Sequence, residues 1–477
     1  MNKQKITPLE KDFSKWYLDI VREADLAETS EVRGCGIVKP YGLKIWELIK
    51  HQLNKYIEDD GVENIYFPLF IPMENIQAEK DHVKGFAPEL AVVTHGGGEE
   101  LVNKLAVRPT SETAMYKSYS KWINSYKDLP LRLNQWNNVV RWEKRPRPFL
   151  RWSEFLWQEG HSAFATKKEA LDEVWRMLDY YEKTYNFMSV PVFKGIKSEG
   201  EKFAGGEATA TCEAMAKDGR SIQASTSHYL GTHFAKVFNI KYTNNNGEKR
   251  LVHQTSWGFA WRAVGILIMT HSDNDGLVLP PNVAPIQVVI VPVYNDNNKT
   301  EVLNYSSKVY KLIKNKFRAE IDLVNNETTG FKFNKWEVRG VPFRIEIGGR
   351  EATGKNVTLF RRDTKLKTKI ELNLLLKHLL QQSKTMGLEM LDRAREFSKT
   401  HIKKIESLKD LEENKNFKGF FEASWSENLE SEKILKERYG ITPRVLLKTN
   451  INKKPTNTVC FITGKKAKHN WYFAKSY

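Results

Sequence analysis

One hairpin sets the frame for the rest of this chain. It reads NVVRWEKRPRPFLRWSEFLWQEGHSAF, from Asn138 to Phe164. Its arms, Leu131 to Arg141 and Phe155 to Phe164, have strand character, and long strands this close in sequence pair antiparallel. The connecting loop carries Lys144, Arg145, Arg147 and Arg151 and is stiffened by Pro146 and Pro148. Residues two apart in a strand share a face. Arg141 and Glu143 therefore project together, as do Trp157, Glu159 and His161. A lone Arg-x-Glu is more often a structural ion pair than a site, so the surrounding sequence has to decide.

The region from Ile123 to Ile268 is rich in strand-like runs, among them Ser221 to Ala224 and Val264 to Thr270, with a helix expected over Lys167 to Phe187. Before it, Trp46, Ile49, Leu53, Tyr56 and Ile57 recur at helical spacing within Tyr41 to Asp60, and Gly61 ends that helix. Val62 to Phe70 reads as a strand, at an edge or interface because of Pro68. A Pro-rich joint, Gly276 to Pro281, precedes the apolar run Ile286 to Val293, which has the signature of a buried central strand. Helix Lys299 to Phe317, strand Ile321 to Val324 and strand Phe343 to Ile347 then alternate as in a small α/β domain. From Leu372 on, Met390, Ala394, Phe397, Ile402, Ile405, Leu408 and Leu411 mark long amphipathic helices, followed by an irregular tail ending at Tyr477.

Composition excludes some classes. No apolar run approaches the roughly 18 residues of a membrane span, and MNKQKITPLEKDF lacks the apolar core of a secretory signal. Cys35, Cys212 and Cys460 lie far apart, which fits a reducing, cytoplasmic compartment and gives no Cys-x-x-Cys pair. The formal net charge of +17 points to a polyanionic partner, most often nucleic acid. A lysine-rich solvated surface is the bland alternative.

Three features recur together in one family. Pro68 follows a helix–strand unit, Arg141-x-Glu143 sits on a hairpin, and Gly258 precedes Arg262 at the start of an apolar helical stretch, where a guanidinium can clamp a phosphate. These resemble motifs 1, 2 and 3 of class II aminoacyl-tRNA synthetases. RPTSET (Arg108 to Thr113), FLWQEGHSAF (Phe155 to Phe164), EKFAGGE (Glu201 to Glu207), QASTSHYLG (Gln223 to Gly231), SWGFAWR (Ser256 to Arg262) and GVPFRIEIG (Gly340 to Gly348) narrow the resemblance. It is to prolyl-tRNA synthetases of the archaeal/eukaryotic-like type, and it covers nearly the whole chain.

The resemblance implies an α+β fold: a class II catalytic domain on an antiparallel sheet (1–280), an anticodon-binding α/β domain (284–385) and a C-terminal α+β domain (386–477). It implies proline activation by ATP, then transfer to the 3′ end of proline tRNA. Arg141 and Arg262 would be the catalytic cations. Thr110, Glu112, Arg141, Trp157, Glu159, His161 and His228 would form the proline pocket. Ser111, Glu112 and Thr113 precede a helix expected over Ala114 to Ile123, so an N-cap is the alternative there and both readings can hold for neighbouring residues; for His161 a satisfied structural histidine is favoured. Arg141, Glu143, Phe149, Leu150, Arg151, Gln223, Thr226 and Arg262 would hold ATP. Glu213 is a candidate Mg²⁺ ligand or a surface carboxylate. Lys144 to Arg147 would approach the acceptor stem, and Lys332, Arg344, Glu346 and Arg350 the anticodon. Tyr477 would reach toward the active site with a buried carboxylate.

Two departures follow from spacing. Glu143 to Gly258 leaves no room for an editing insertion. The C-terminal positions where relatives hold zinc are Ser426, Ser431, Cys460 and Ile462, which cannot make a thiolate site, so no zinc is expected. A homodimer without membrane contact completes the expectation. A catalytically dead nucleic-acid-binding relative, or a class II enzyme for threonine, serine or glycine, are the competing readings. The retained arginines and the isolated Cys212 stand against them.

Overall fold

The hairpin arms form strands Leu131–Val140 and Glu154–Phe164, paired antiparallel from Leu131↔Ala163 to Val140↔Glu154. The structure is a computed structural model that describes residues 6–77 and 90–477. Residues 1–5, the start of the N-terminal stretch discussed above, lie outside it. Among the described residues the hairpin belongs to an eleven-stranded sheet. Next to Glu154–Phe164 come His253–Ala260, Ser221–Gly231, Ala208–Met215 and Phe193–Ile196, each antiparallel to its neighbour. On the outer side, Glu63–Asn64 pairs in parallel with Leu133 and Asn134.

One face of this sheet is covered by the helix Lys167–Phe187. Its start is fixed by a capping box between Thr166 and Glu169, and Ala170, Val174, Met177, Leu178, Tyr181 and Tyr185 are buried. Tyr181 donates to Gln158 Oε1 at 2.7 Å and Tyr185 to the Ala224 carbonyl at 2.9 Å. Both rings pack on Phe259. Gly160, opposite Trp257 in the register, makes this layer possible: a Cβ there would lie 2.1 Å from the Trp257 ring. The glycine singled out in the sequence, Gly258, has a looser fit, 3.3 Å from Trp157.

Three expectations need correction. Val62 to Phe70 is not one strand. Only Glu63–Asn64 joins the large sheet, and Phe70–Pro72 belongs to a separate three-stranded sheet, with Pro68, which has no N–H to donate, in the gap. Val264 to Thr270 lies in the helix Arg262–His271, where seven consecutive residues from Ala263 are buried; an apolar run buried all round carries no period to tell helix from strand. The stretch from Leu372 is not all helical: beyond the helix Leu372–Thr400 the chain forms a strand, Ile402–Lys404, before the short helix Leu408–Glu413.

The α/β unit has its own five-stranded sheet. Val288–Pro292 lies parallel between Ala319–Ile321 and Phe343–Ile347, and Asn356–Arg361 and Leu366–Glu371 continue antiparallel. The joint before it is tightly packed. Gly276 has φ +133°, and a Cβ there would lie 2.5 Å from Val338 Cα. Arg362, fully buried, grips Asp273 with two bonds of 2.8 and 2.6 Å.

The C-terminal strands extend the large sheet. Thr442–Leu447 pairs with Phe193–Ile196 through Leu446↔Ile196 and Leu447↔Gly195. Behind this seam lies a buried ion cluster. Arg444 donates to Glu213 Oε2 at 3.1 and 2.9 Å and to Glu201 at 3.3 Å, and Lys197 Nζ lies 2.7 Å from Glu213 Oε1. Glu213 is therefore no surface carboxylate. Burial alone would raise its pKa, but Lys197 and Arg444 hold it near about 2. Ser221 Oγ also donates to it, at 2.6 Å. With both oxygens engaged by cations, Glu213 does not fit a Mg²⁺ ligand.

Removing one member of a buried ion cluster strands its partners' charges, a cost of about 3–5 kcal/mol. Arg444→Met is expected to destabilise the protein by about 3 kcal/mol, read as a lower midpoint in chemical unfolding. Glu213's depressed pKa contributes stability that is full above its ordinary 4.5 and is lost as pH falls toward about 2. The variant should lose less stability than wild type over that window; an equal loss would contradict the assignment.

Candidate active site

The face of the sheet opposite the helix carries a cavity of about 180 Å³. Ten of the residues singled out in the sequence line it: Thr110, Glu112, Arg141, Trp157, Glu159, His161, Gln223, Thr226, His228 and Arg262. Strand alternation brings Trp157, Glu159 and His161 there. Thr110 to Glu112 arrive from the entry of the helix Glu112–Trp122. Ser111 occupies the N-cap position of that helix, yet its side chain makes no capping bond. Its hydroxyl donates instead to Glu159 Oε1 at 2.5 Å, and its N–H to Glu159 Oε2 at 3.0 Å. Thr110 Oγ1 donates to the buried Glu112 carboxylate. Helix entry and pocket wall are thus the same residues.

Glu159 is 2% exposed. Asn137 Nδ2 donates to it at 2.6 Å, Gln135 Nε2 at 3.1 Å, and His161 Nε2 lies 3.2 Å away. Burial pushes its pKa up, but the bonds from His161, Ser111 and Asn137 outweigh this and hold it near about 2. His161 is pulled down by burial, but the bond to Glu159 and the charges of Glu112 and Glu159 raise its pKa overall. Its Nδ1 lies 3.2 Å from the Tyr116 hydroxyl. His161 is thus a satisfied histidine that also lines the cavity. His228 differs: burial, with His161 and Arg141 nearby, lowers its pKa to about 4. It is a neutral ring, 2.9 Å from Thr209 Oγ1 and packed on Phe203.

A second cavity, of about 140 Å³, shares Arg141, Phe155, Ala260 and Arg262 with the first. Glu143, Phe149, Leu150 and Arg151 line it too. Three guanidinium groups, Arg141, Arg151 and Arg262, meet around it with one lining carboxylate, Glu143, which lies 3.3 Å from Arg151. Burial, then Arg141 and Arg151, push the Arg262 pKa down to about 10. Such an excess of positive charge suits an anion. Arg262 is aimed by bonds to the carbonyls of Leu150 (2.9 Å) and Gln223 (3.2 Å). Arg141 is fixed by the Pro109 carbonyl at 3.0 Å and lies over the Trp157 and Phe155 rings. Phe149 sits at φ +57° in a tight turn closed by Leu150 N–H to the Pro148 carbonyl, strain that its burial against Trp152 and Trp261 sustains.

The remaining candidates are elsewhere. Arg147 is not a free loop-tip cation: its guanidinium lies over the Tyr477 ring and bonds Ser14 Oγ at 3.1 Å. Lys144 and Arg145 are exposed. Tyr477 lines neither cavity. It is anchored by Ser221 O to its N–H, by its hydroxyl to Asp218 at 2.5 Å, and by Arg220 across its ring. Among the anticodon candidates only Arg350 is exposed. Lys332 is buried against Asp322, and Arg344 is buried between the Phe333 and Phe360 rings with a 3.0 Å bond to Glu346. Glu346 is shared with Lys367 at 2.7 Å. Lys332 and Arg344 therefore hold the fold together rather than face a partner. Cys460 is buried beside Phe461; Ser431 is committed to Trp425 and the Asn428 carbonyl; Ile462 offers no donor. This donor set does not fit zinc.

Several site residues escaped the sequence reading: Ser111, Gln135, Asn137, Phe155, Phe203 and Ser256. For Gln135 and Asn137 a signal existed, since amides at alternate positions of a central strand must find buried partners.

Comparison with known proteins places this geometry. The family described as "tRNA synthetase class II core domain (G, H, P, S and T)" matches residues 96–271, "Anticodon binding domain" 287–382 and "Prolyl-tRNA synthetase, C-terminal" 408–477. Between Glu143 and Gly258 the chain is used by the sheet, the helix Lys167–Phe187 and a short hairpin, Lys241–Thr243 with Lys249–Leu251, in keeping with the absence of an editing insertion. A proline–tRNA ligase of Alkaliphilus oremlandii is 46% identical over 99% of this chain and 98% of its own length. One of Borreliella burgdorferi is 44% identical over 99% of each. The solved prolyl-tRNA synthetase of Cryptosporidium parvum, in complex with halofuginone and AMPPNP, superposes with a TM-score of 0.94 at 38% identity, covering 99% of this chain and 100% of that one. The chain belongs to the proline–tRNA ligases, class II aminoacyl-tRNA synthetases that use ATP to join proline to its tRNA.

Proposed function

We propose a division of labour within the activation step. Proline lies in the first cavity, its ring against Trp157 and the neutral His228, its ammonium on Thr110 and Glu112. ATP lies in the second, its outer phosphates on Arg151 and Arg262, with Glu143 accepting from the adenine amino group beside Leu150. Arg141 stands at the boundary. As the proline carboxylate attacks the α-phosphorus in line, forming prolyl-adenylate and breaking the bond to the departing pyrophosphate, negative charge builds on the phosphoryl oxygens, and a fixed guanidinium stabilises it. The carboxylate is already ionised, so no general base is needed. Mg²⁺ accompanies the triphosphate as part of the substrate. What carries this reading is the wall shared by the two cavities, Arg141 and Arg262 with Phe155 and Ala260.

The wider reading follows from the same residues. The exposed Lys144 and Arg145 receive the acceptor stem, and Arg350 with the surrounding α/β domain the anticodon. The units 1–280, 284–385 and 386–477 act as catalytic, anticodon and C-terminal domains, with the helix Leu372–Thr400 bridging the last two. The enzyme works in the cytoplasm as a homodimer built on the helix Pro40–Asp59 and the Pro68 segment, and its C-terminal domain holds no zinc.

Arg141→Ala should lower proline-dependent ATP–pyrophosphate exchange by about 100-fold or more, the scale of one lost transition-state donor, in a protein that melts as wild type does. Exchange driven by another amino acid instead of proline would overturn the assignment. Removing Ser476 and Tyr477 frees Arg147 and should slow the same exchange severalfold; unchanged exchange would mean the terminus is only structural. Native mass spectrometry should give twice the chain mass with no bound zinc, and a monomer or a stoichiometric zinc adduct would contradict it.

A further inference from the structure

We propose that Glu159 is a positioning residue: it holds the turn Thr110 to Glu112 where the substrate ammonium is received and does not itself touch the substrate. This rests on the reading that Thr110 and Glu112 take the ammonium.

A carboxylate offers about four lone-pair sites. Glu159 Oε1 is approached by Ser111 Oγ at 2.5 Å, Asn137 Nδ2 at 2.6 Å and Gln135 Nε2 at 3.1 Å. Its Oε2 is approached by Ser111 N at 3.0 Å and His161 Nε2 at 3.2 Å. No site is left for a further donor. An ammonium reaching Glu159 would displace one of these, leaving a buried donor unpaired.

The bonds converge from three directions. Ser111 comes from the helix entry, Gln135 and Asn137 from one hairpin arm, and His161 from the other. A serine at an N-cap ordinarily steadies its own helix by bonding the first turn. Ser111 makes no such bond, so the entry to the helix Glu112–Trp122 is fixed from outside by the carboxylate. Displacing that carboxylate lets the turn relax, and Thr110 and Glu112 go with it. His161 is held by the same carboxylate and faces Glu112 as well, so Glu159 sets both the place and the charge of the ammonium site.

The test is a double-mutant cycle in proline-dependent ATP–pyrophosphate exchange. Glu159→Gln should raise the KM for proline about tenfold, the scale of one charge-assisted bond, with the KM for ATP little changed and the melting temperature lowered by the buried donors it strands. Thr110→Val alone should also raise the proline KM. Added to Glu159→Gln, it should raise it less than twofold further, because the turn is already displaced. Asn137→Ala, which removes a single donor, should raise the proline KM in the same direction and serves if Glu159→Gln does not fold. Multiplicative effects of Thr110→Val and Glu159→Gln would mean that Glu159 contacts proline directly and would overturn the proposal. So would an unchanged proline KM, or a joint loss of kcat and both KM values. A wild-type enzyme without proline-dependent exchange would instead remove the functional reading itself, and this inference with it.

Discussion

A strand has two faces, and this sheet uses them for incompatible purposes. The face under the helix Lys167–Phe187 is packed with Tyr181, Tyr185, Phe259 and Trp257. The other face gathers Glu112, Glu159, His161 and Arg141 around a cavity. Because the side-chain period is two, a slip of one residue between Glu154–Phe164 and its neighbours would exchange the two sets. Charges would then lie beneath the helix and Phe259 would face the substrate. Gly160 is the pin against that slip: the Trp257 ring occupies the space of its missing side chain. Register, packing and site are thus one constraint.

The open face is divided by charge. Carboxylates crowd one end, where Glu112 and Glu159 flank the raised-pKa His161. Guanidinium groups crowd the other, where burial, then Arg141 and Arg151, lower the pKa of Arg262. An amino acid carries a cation and an anion a few bonds apart, and ATP carries only anions. A site graded from negative to positive therefore orients both substrates before any chemistry. Arg141 can stand at the crossing because its guanidinium lies on the Trp157 and Phe155 rings, which leaves its edge for hydrogen bonding.

Much of this was legible in the sequence, for identifiable reasons. The helix Lys167–Phe187 has its predicted bounds because Thr166 and Glu169 cap it and its apolar stripe is continuous. Phe343–Ile347 is a buried strand of the predicted length. The ordered motifs brought ten named residues to one cavity. What failed was what depends on partners distant in sequence. Lys332 and Arg344 read as surface cations, because nothing local reveals that Asp322 and two phenylalanine rings will enclose them. Arg147 read as a loop-tip cation because its partner, Tyr477, is at the other end of the chain. Ser111 read as a helix cap because the carboxylate that claims it lies on another strand.

The C-terminal domain is part of the site rather than an appendage. Its strand Thr442–Leu447 continues the sheet that carries the cavity, so the two share one backbone ladder. Arg444 reaches across to Glu201, which lines the cavity, and Tyr477 holds Arg147 at the base of the loop that carries Arg151. The domain's own core contains Trp425, Phe461, Trp471 and Phe473, each contributing about 2–3 kcal/mol on burial. To swing this domain away would break the strand pairing and expose the ions that Arg444 joins. The cation-bearing loop is thus tied to the C-terminal domain through Arg147 and Tyr477, while Lys144 and Arg145 at its tip stay exposed.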